Sequence, residues 1–519
     1  MASDSLVLMK TFVLVLLKKL SAQCYLKPKT LHLASVLFLA FTVAVPTIEK
    51  SILLAAENTP GPTHIPTVTD FQLMLENRAR SEIQADARLV ESVKKHGYFT
   101  VNTQFIEKDV IMRALAGGKV SPVKLTLFPN RKKSFTVAVK HIEEIPPPTG
   151  QEAIPRVHSW NGSVKEDPNG LAVFIVKNGT LYGSIWVKNR VYRIRPLGGA
   201  IHEVLEIDPS KFPDGMKART FPFSEQTSAL SGPQPHHHNF DDVVAQFPCV
   251  IDVMVLFTSA VYHFAGDQER LEQMWYDANL SITVANWILN RSGIIHRMRL
   301  VHVAELSRLV EFAHGKFGHG LKRESYSENG KGFDEILSDF LNPVSGSIPE
   351  DAAAWRKDHH ADLVSIQVNK RQDPFCGMAY AMDPPDSTFA PSAYSVVDDL
   401  CGWIRMSTLH EMAHNMGAFH DRITDGQVGA GGSPHFDHIN WATKEATIMA
   451  EPRSSGCVGC ARLFYFSNPR NSFYSDGSPM GVPSGDPNAA DNAFWLNQTG
   501  SIVSSFEPPT SGRPTALIQ

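Results

Sequence analysis

The chain has 519 residues, of which 43% are hydrophobic and 20% charged, and this length predicts two or three domains with ordinary apolar cores. Lys and Arg number 49 against 53 Asp and Glu, a net charge of −4 that excludes the broad basic surface of a nucleic-acid-binding protein. Gly (35) and Pro (34) occur at ordinary frequencies, which excludes collagen-like and low-complexity chains. We therefore expect no nucleic-acid partner.

The first predicted element is an export signal. Residues 31–45 form an apolar run of signal-peptide length, and four lysines precede it: Lys18, Lys19, Lys27 and Lys29. The run is short for a transmembrane helix, and a tilted signal anchor is the alternative interpretation. We expect a signal region over residues 1–56, a secreted protein that is extracellular or periplasmic, and no stable membrane association after signal removal.

The N-terminal half then changes from a helical to a strand pattern. Residues 70–95 have apolar side chains spaced three and four apart, which predicts a helix. Over residues 98–208, short alternating runs separated by hairpin signals such as the Asn-Gly pair at 178–179 predict a small antiparallel β domain. The polar, turn-rich stretch 209–248 is typical of a linker.

The second half alternates strands and helices. Strand-like runs and helical spacing follow one another at residues 251–257 (strand), 267–290 (helix), 297–303 (strand), 332–359 (helix) and 361–368 (strand). This alternation predicts a sheet with helices packed on it. Residues 400–416 contain no proline and carry apolar side chains spaced for burial on one helix face.

Residues 410–420 carry the motif that points to chemistry, and they read His410-Glu411-Met-Ala-His414-Asn-Met-Gly417-Ala-Phe-His420. Two histidines four residues apart share a helix face and can bind one ion. A third histidine six residues later reaches the same ion only if the helix ends first, and Gly417 can adopt the positive φ that ends it.

The ligand set and its neighbour indicate a catalytic zinc ion. Three neutral imidazoles, from His410, His414 and His420, leave the fourth position of a tetrahedral zinc open for water. Glu411 lies one step round the helix, where its carboxylate can act as general base and then as general acid. We predict one catalytic Zn²⁺ and hydrolysis of a carbonyl compound, and the motif alone does not exclude a non-peptide substrate.

The motif resembles that of the metzincin zinc endopeptidases. Met449 would then form the methionine turn beneath the metal, and Asp421 resembles the aspartate that steadies the helix-to-turn junction in the reprolysin (adamalysin-like) branch. Further segments between residues 250 and 506 are similar to bacterial secreted enzymes of the peptidyl-Asp metalloendopeptidase type.

The resemblance implies a fold and a domain order. We expect an α/β (α+β) metzincin-type catalytic domain over residues 251–519, with a mixed sheet and an active-site helix. A small β-rich propeptide over residues 57–235 and a linker or processing region over 236–250 would precede it. Trimming at the linker would release the mature enzyme.

The resemblance also implies where substrate binds. The edge strand before the active-site helix pairs with the substrate backbone in these enzymes, and here it would be residues 376–382, with Gly377 and Ala379 offering main-chain groups. An interior strand with a bulge-forming glycine is the alternative. Beyond the methionine turn, Arg453 or Arg462 could pair with an acidic side chain after the scissile bond.

The cysteines leave their pairing open. Three disulfide pairings are compatible with the four in the predicted catalytic domain, Cys376, Cys401, Cys457 and Cys460. The last two resemble half of a zinc ribbon, but no second pair completes it, and export favours disulfides. Residues 57–248 contain no cysteine, which excludes a thiol latency switch, and the three histidines at 236–238 are an alternative metal cap.

Two classes of function follow. A secreted binding or adhesion protein with structural zinc is the alternative, and Glu411 together with the open coordination position argues against it. We predict a secreted zinc-dependent endopeptidase, made as a precursor, that acts as a monomer on protein or peptide substrates. Structural Ca²⁺ sites stay open.

Overall fold

The structure, a computed structural model, describes ten segments of the chain. They are residues 91–128, 133–147, 156–198, 200–213, 215–220, 248–262, 267–313, 319–370, 373–429 and 432–508. The chain divides into two compact units, Met1–Gln72 and Leu73–Gln519, and every described residue belongs to the second. The predicted signal region and the three histidines at 236–238 lie outside the described residues. No helix in the described segments is long and apolar enough to cross a membrane.

An antiparallel sheet forms the N-terminal half of the described chain, as predicted for residues 98–208. Its eight strands are β1 (Val93–Thr100), β2 (Val123–Phe128), β3 (Lys133–Ile145), β4 (Val157–Val164), β5 (Asp167–Lys177), β6 (Thr180–Val187), β7 (Arg190–Gly198) and β8 (Ile201–Ile207). Their spatial order is β1-β8-β7-β6-β5-β4-β3-β2. The helix predicted over residues 70–95 is wrong from residue 93 onward, because these residues pair with β8 as part of β1.

Both faces of this sheet are buried. Side chains alternate between the two faces along a strand. On one face of β5, Ala172 and Phe174 belong to an apolar cluster that also contains residues of the helical segment α1. Segment α1 consists of three consecutive helical pieces, Thr103–Phe105, Ile106–Met112 and Arg113–Leu115. Leu171 and Val173 point the other way, into a cluster shared with a long helix of the C-terminal half. The two halves of the described chain therefore share one apolar core.

A six-stranded mixed sheet organises the C-terminal half. Its strands are β9 (Gly215–Thr220), β10 (Val250–Phe257), β11 (Arg297–Glu305), β14 (Leu363–Val368), β15 (Phe375–Ala381) and β16 (Tyr394–Asp398), in the order β11-β10-β14-β16-β15-β9. All neighbours are parallel except β15 and β16, which are antiparallel. A hairpin of β12 (Ser307–Ala313) and β13 (His319–Ser325) extends from β11.

Six helices and a small sheet complete this half. The helices are α2 (Asp267–Arg291), α3 (Phe333–Leu341), α4 (Ile348–Asp358), α5 (Asp399–Ile404), α6 (Ser407–Asn415) and α7 (Asn492–Val503). Helix α2 is the one that packs on β4 and β5 of the N-terminal sheet. Strands β17 (Ile439–Asn440), β18 (Glu445–Ala446) and β19 (Ala461–Arg462) form the small sheet.

Two elements depart from what the sequence predicts. Strand β9 lies inside the stretch 209–248 that was predicted as linker, and it forms because its backbone pairs with β15, far away in sequence. Helical spacing over residues 400–416 gave no sign of an interruption, yet Met406 has φ 60°, in the left-handed region, and separates α5 from α6.

Two disulfides select one of the three open pairings. Cys376 of β15 is bonded to Cys401 of α5, with their Cα atoms 5.5 Å apart, and Cys457 is bonded to Cys460, with Cα atoms 5.6 Å apart. The first bond ties the strand beside the predicted cleft to the helix that precedes α6. The second removes the cysteine pair that resembled a zinc ribbon from metal binding.

Candidate active site

Helix α6 carries the first part of the histidine motif. All nine of its residues are buried, and His410 and His414 lie one turn apart on it. Gly417 follows the helix with φ 92°. A Cβ at this position would lie 2.8 Å from Nε1 of Trp495, so both the backbone conformation and the space require glycine. The chain then turns and brings His420 back to the same point.

The ring nitrogens of the three histidines meet. Nε2 of His414 lies 3.1 Å from Nε2 of His410 and 3.1 Å from Nε2 of His420. Three nitrogens at about 2.0–2.1 Å from a tetrahedral zinc ion would be about 3.4 Å apart, so the arrangement fits a single ion. These histidines form the one group of three or more potential ligands found in the described segments.

The second nitrogen of each ring has a partner that leaves Nε2 available to a metal. Each Nδ1–H donates to an oxygen: His410 to the carbonyl of Ile448 (3.1 Å), His414 to the carbonyl of Ala418 (2.7 Å), and His420 to Oδ1 of Asp425 (3.0 Å). Such partners fix the tautomer and the orientation of metal-binding histidines. Burial also lowers the pKa of His410 and of His414 well below the usual value, which keeps both rings neutral.

Asp425 is a site residue that the sequence analysis missed. Burial lowers the pKa of His420, but the hydrogen bond and the charge of Asp425 raise it, and the net pKa is raised. Two acidic residues follow the third histidine, Asp421 and Asp425, and the family resemblance drew attention to the first. Only the turn over residues 421–425 reveals that the second faces the ring.

Glu411 lies beside the histidines in a fully buried position. Neither of its carboxylate oxygens has a hydrogen-bond partner in the described part of the chain. Burial raises its pKa well above the usual value, the nearby charge of Glu451 raises it further, and Arg462 lowers it. A Cβ on Gly377 would lie 2.9 Å from Oε1 of Glu411, so the strand backbone passes directly over this carboxylate.

Met449 is buried in the turn that follows Ile448, whose carbonyl accepts the hydrogen bond from His410. Two carboxylates hold the backbone of this turn. Asp421 accepts the N–H of Glu451 (3.0 Å), and Asp437 accepts the N–H of Ala450 (2.6 Å). Asp421 therefore connects the chain after the third histidine to the methionine turn.

The predicted substrate-binding positions lie on β15. Gly377 and Ala379 pair with β16 on one side of the strand. On the other side, Ala379 lies opposite Ala218 of β9, so the expected edge is already paired. The β9–β15 register is irregular between Phe375 and Met378, as the alternative of a bulge-forming glycine expected.

The two candidate arginines have different surroundings. Arg453 is exposed, and its Nη2 donates to the carbonyl of Ser210 in the N-terminal half (2.9 Å). Arg462 is buried, and its Nη2 donates to the carbonyl of Ala450 (2.7 Å) and to Oε1 of Glu451 (2.9 Å). A role of Arg453 in binding substrate stays a prediction.

The chain matches a known family over the region that contains this site. Residues 250–467 match a reprolysin-type model of metallo-peptidase family M12. Two relatives, both named peptidyl-Asp metalloendopeptidase, are 26% identical. That of Stenotrophomonas maltophilia (strain K279a) aligns over 68% of this chain and 74% of its own length, and that of Xanthomonas campestris pv. campestris over 66% and 70%.

Solved structures are more distant. Metalloproteinase-II from Bacteroides fragilis is 12% identical with a TM-score of 0.28, over 56% of this chain and 78% of that chain. A chain in a chaperone-substrate complex is 16% identical with a TM-score of 0.35, over 50% of this chain and 36% of that chain. These scores are too low to compare the folds.

The region matched by the family model contains the three histidines, Glu411 and Met449. The family is one of metallopeptidases, and the relatives are named as metalloendopeptidases. The chain is therefore a hydrolase of the zinc metalloendopeptidase class, and over residues 250–467 it is similar to the reprolysin-type enzymes of metallo-peptidase family M12.

Proposed function

We propose that this enzyme is secreted as a precursor and cleaves peptide bonds with His410, His414 and His420 as zinc ligands and Glu411 as general base. The proposal depends above all on one observation. Three buried Nε2 atoms, each on a ring whose Nδ1 is already bonded, meet beside a buried carboxylate that has no partner among the described residues. Zinc bound there would supply Lewis acidity toward the attacking water and the peptide carbonyl.

Glu411 moves the proton. Its carboxylate accepts a proton from water as the water oxygen bonds to the carbonyl carbon, and it then delivers that proton to the nitrogen of the leaving peptide. A raised pKa suits a group that must hold a proton between these two steps. The close approach of Gly377 limits the positions that the carboxylate can take.

We also propose a preference for an acidic residue directly after the scissile bond. Both relatives are named for action at Asp. Two buried guanidinium groups, those of Arg405 and Arg462, lie close to the methionine turn and support this preference. A carboxylate that enters this region would form charge-assisted hydrogen bonds.

Export is supported by two features. The apolar run at residues 31–45 has the length and the preceding lysines of a signal peptide. The disulfides at Cys376–Cys401 and Cys457–Cys460 are stable in oxidising compartments such as the extracellular space and the periplasm.

The inactive precursor is supported by β9. This strand pairs with the side of β15 that a substrate strand would use, and Ala218 lies opposite Ala379. A substrate that adds to this edge must first displace β9. The block needs no thiol, and residues 57–248 indeed contain no cysteine.

The segment before β9 is also attached to the catalytic half. The carbonyl of Ser210 accepts a hydrogen bond from Arg453, and the carbonyl oxygen of Pro213 lies 3.3 Å from Sγ of Cys376. These contacts place the start of β9 beside the start of β15. Displacement of β9 therefore requires the loss of more than its own backbone pairing.

Casein hydrolysis by the secreted protein, after β9 has been removed or displaced, tests the catalytic proposal. The wild type should hydrolyse casein, a chelator should abolish the activity, and added zinc should restore it. Glu411→Gln should keep its zinc but lose about 10²- to 10⁴-fold in rate, because the general base is missing. Glu324→Gln, on the exposed part of β13 in the C-terminal half, is the matched control and should keep full activity. Equal hydrolysis by wild type and Glu411→Gln would contradict the mechanism.

A further inference from the structure

Arg462 is held firmly next to the catalytic centre. It lies in β19, and the residues on both sides of its side chain are fixed by backbone hydrogen bonds. The N–H of Ala461 donates to the carbonyl of Lys444 (2.8 Å), and the N–H of Leu463 donates to the carbonyl of Ala446 (2.7 Å). The position of its Cα is therefore set by the small sheet.

The guanidinium of Arg462 uses only part of its hydrogen-bonding capacity. Its side chain is 5% exposed, and Nη2 makes the bonds to Ala450 and Glu451. Nε and Nη1 are buried and have no acceptor within the described segments. Buried donors without acceptors are costly, so a ligand that supplies acceptors would be bound favourably at this point.

This guanidinium is close to the reacting groups. Its partner Ala450 belongs to the methionine turn, and the carbonyl of Ile448 in the same turn accepts the bond from His410. The free donors therefore belong to a side chain that contacts the same turn as His410.

The charges around Arg462 favour the binding of an anion. A second buried guanidinium, that of Arg405, interacts electrostatically with both Arg462 and Glu451, and burial with this like charge lowers its pKa to about 9. Glu451 is thus the carboxylate that two guanidinium groups share. Glu411 is not bonded to either of them and lies against Gly377. One further carboxylate would balance the cluster.

We propose that Arg462 is the specificity-determining residue for an acidic side chain directly after the scissile bond, with one of its two free donors, Nε–H or Nη1–H, donating to that carboxylate. This inference rests on the proposed function and assigns its substrate preference to one residue. It also separates Arg462 from the exposed Arg453, whose guanidinium bonds the carbonyl of Ser210 in the N-terminal half.

Paired peptides test the assignment. Two peptides that differ only in Asp or Asn after the scissile bond are cleaved by the form of the protein that hydrolyses casein, and the ratio of their kcat/KM values is measured. The wild type should prefer Asp by at least about 10-fold, as expected for buried charge-assisted hydrogen bonds. Arg462→Gln should reduce this ratio to below about 3, whereas Arg453→Gln should leave it unchanged. Because both peptides meet the same site, the ratio does not depend on how much variant is active.

A conservative variant keeps the test decisive if Arg462→Gln does not fold. Lysine retains the charge on a shorter side chain, so Arg462→Lys should shift preference from Asp toward the longer Glu and lower the Asp:Glu ratio at least about 3-fold. An unchanged Asp:Glu ratio in Arg462→Lys, or an unchanged Asp:Asn ratio in Arg462→Gln, would overturn the assignment. Cleavage of neither peptide by wild type would instead refute the proposed function itself.

Discussion

Cutting the chain in the 236–250 region should not by itself produce an active enzyme. A cut there leaves β9 joined to the N-terminal sheet, because β9 ends at Thr220. That sheet shares an apolar core with α2, to which the fully or nearly fully buried Val173, Tyr182 and Trp186 contribute. The N-terminal half should therefore stay bound after the cut, with β9 still paired to β15.

The backbone pairing sets a minimum size for this block. Five residues of β9 have partners in β15. At about one hydrogen bond for each paired residue and about 0.5 kcal/mol for each bond, the low end of the usual range, this pairing stabilises the closed form by about 2.5 kcal/mol. Since about 1.4 kcal/mol corresponds to a factor of ten, kcat/KM should be at least roughly 70-fold lower while β9 is paired.

A double proline variant separates pairing from chain cleavage. Neighbouring N–H groups of a strand point to opposite edges, so Lys217→Pro with Ala218→Pro removes one donor toward β15 whichever residue faces it. Gln226→Pro with Thr227→Pro, in the predicted linker, is the matched control. The substrate is a fluorogenic peptide, and rates are measured before and after cutting an engineered protease site at residues 236–240.

The peptide-cleavage rates of three forms of the protein test whether β9 blocks the substrate edge of β15. The β9 double variant should be active without a cut, at least about 2-fold above the uncut wild type for the one lost donor and up to roughly 70-fold if the prolines release all of the β9 pairing. The cut wild type and the linker control should stay near the uncut rate, and size-exclusion chromatography should show that the two fragments of the cut protein elute together. Full activity of the cut wild type, with both fragments still associated, would refute β9 as the block.

Three further predictions concern the metal site and stability. Asp425→Asn should weaken zinc binding by roughly 10- to 100-fold in a zinc titration, because the carboxylate orients His420, and unchanged affinity would exclude that role. Replacing Cys376 and Cys401 with Ser should lower the free energy of unfolding in urea by about 3 to 4 kcal/mol, as expected for a bond that links residues 25 apart, and a change below about 1 kcal/mol would contradict this. Burial raises the pKa of Asp362 to about 7, above its unfolded value of about 3.9. The free energy of unfolding should therefore fall as the pH rises from about 4 to about 7, and Asp362→Asn should flatten this slope.

The convergence of the three histidines was predictable because its information is local. Two histidines four residues apart need only a helix, and Gly417 marks where the chain must turn. Asp425 was not predictable in the same way, since its contact depends on the shape of the turn after His420. The resemblance instead drew attention to Asp421, which holds the methionine turn.

How well the fold could be predicted depends on the same difference between local and distant contacts. Hairpins of the N-terminal sheet join neighbouring segments and carry Asn-Gly turn signals, so they were predicted. Strand β9 pairs Ala218 with Ala379, across 161 residues (379 − 218). Its apolar and polar residues alternate only over 216–219, which is too short to indicate a strand inside a turn-rich stretch. The break at Met406 also has no proline or glycine at that position as a signal, although Met406 adopts the left-handed conformation.

Gly377 lies against the carboxylate that is proposed as general base. A Cβ there would lie 2.9 Å from Oε1 of Glu411 and 2.9 Å from the carbonyl oxygen of Val396, so the glycine is needed for packing beside this carboxylate. Gly377→Ala should leave the histidine cluster and its zinc content intact, because neither contact involves a histidine. Displacement of the carboxylate should nevertheless lower kcat/KM by roughly 10- to 100-fold, since small misplacements of a reacting group have effects of this size. Full activity with normal zinc content would mean that the strand moves instead of Glu411, and that this carboxylate does not depend on the backbone beside it.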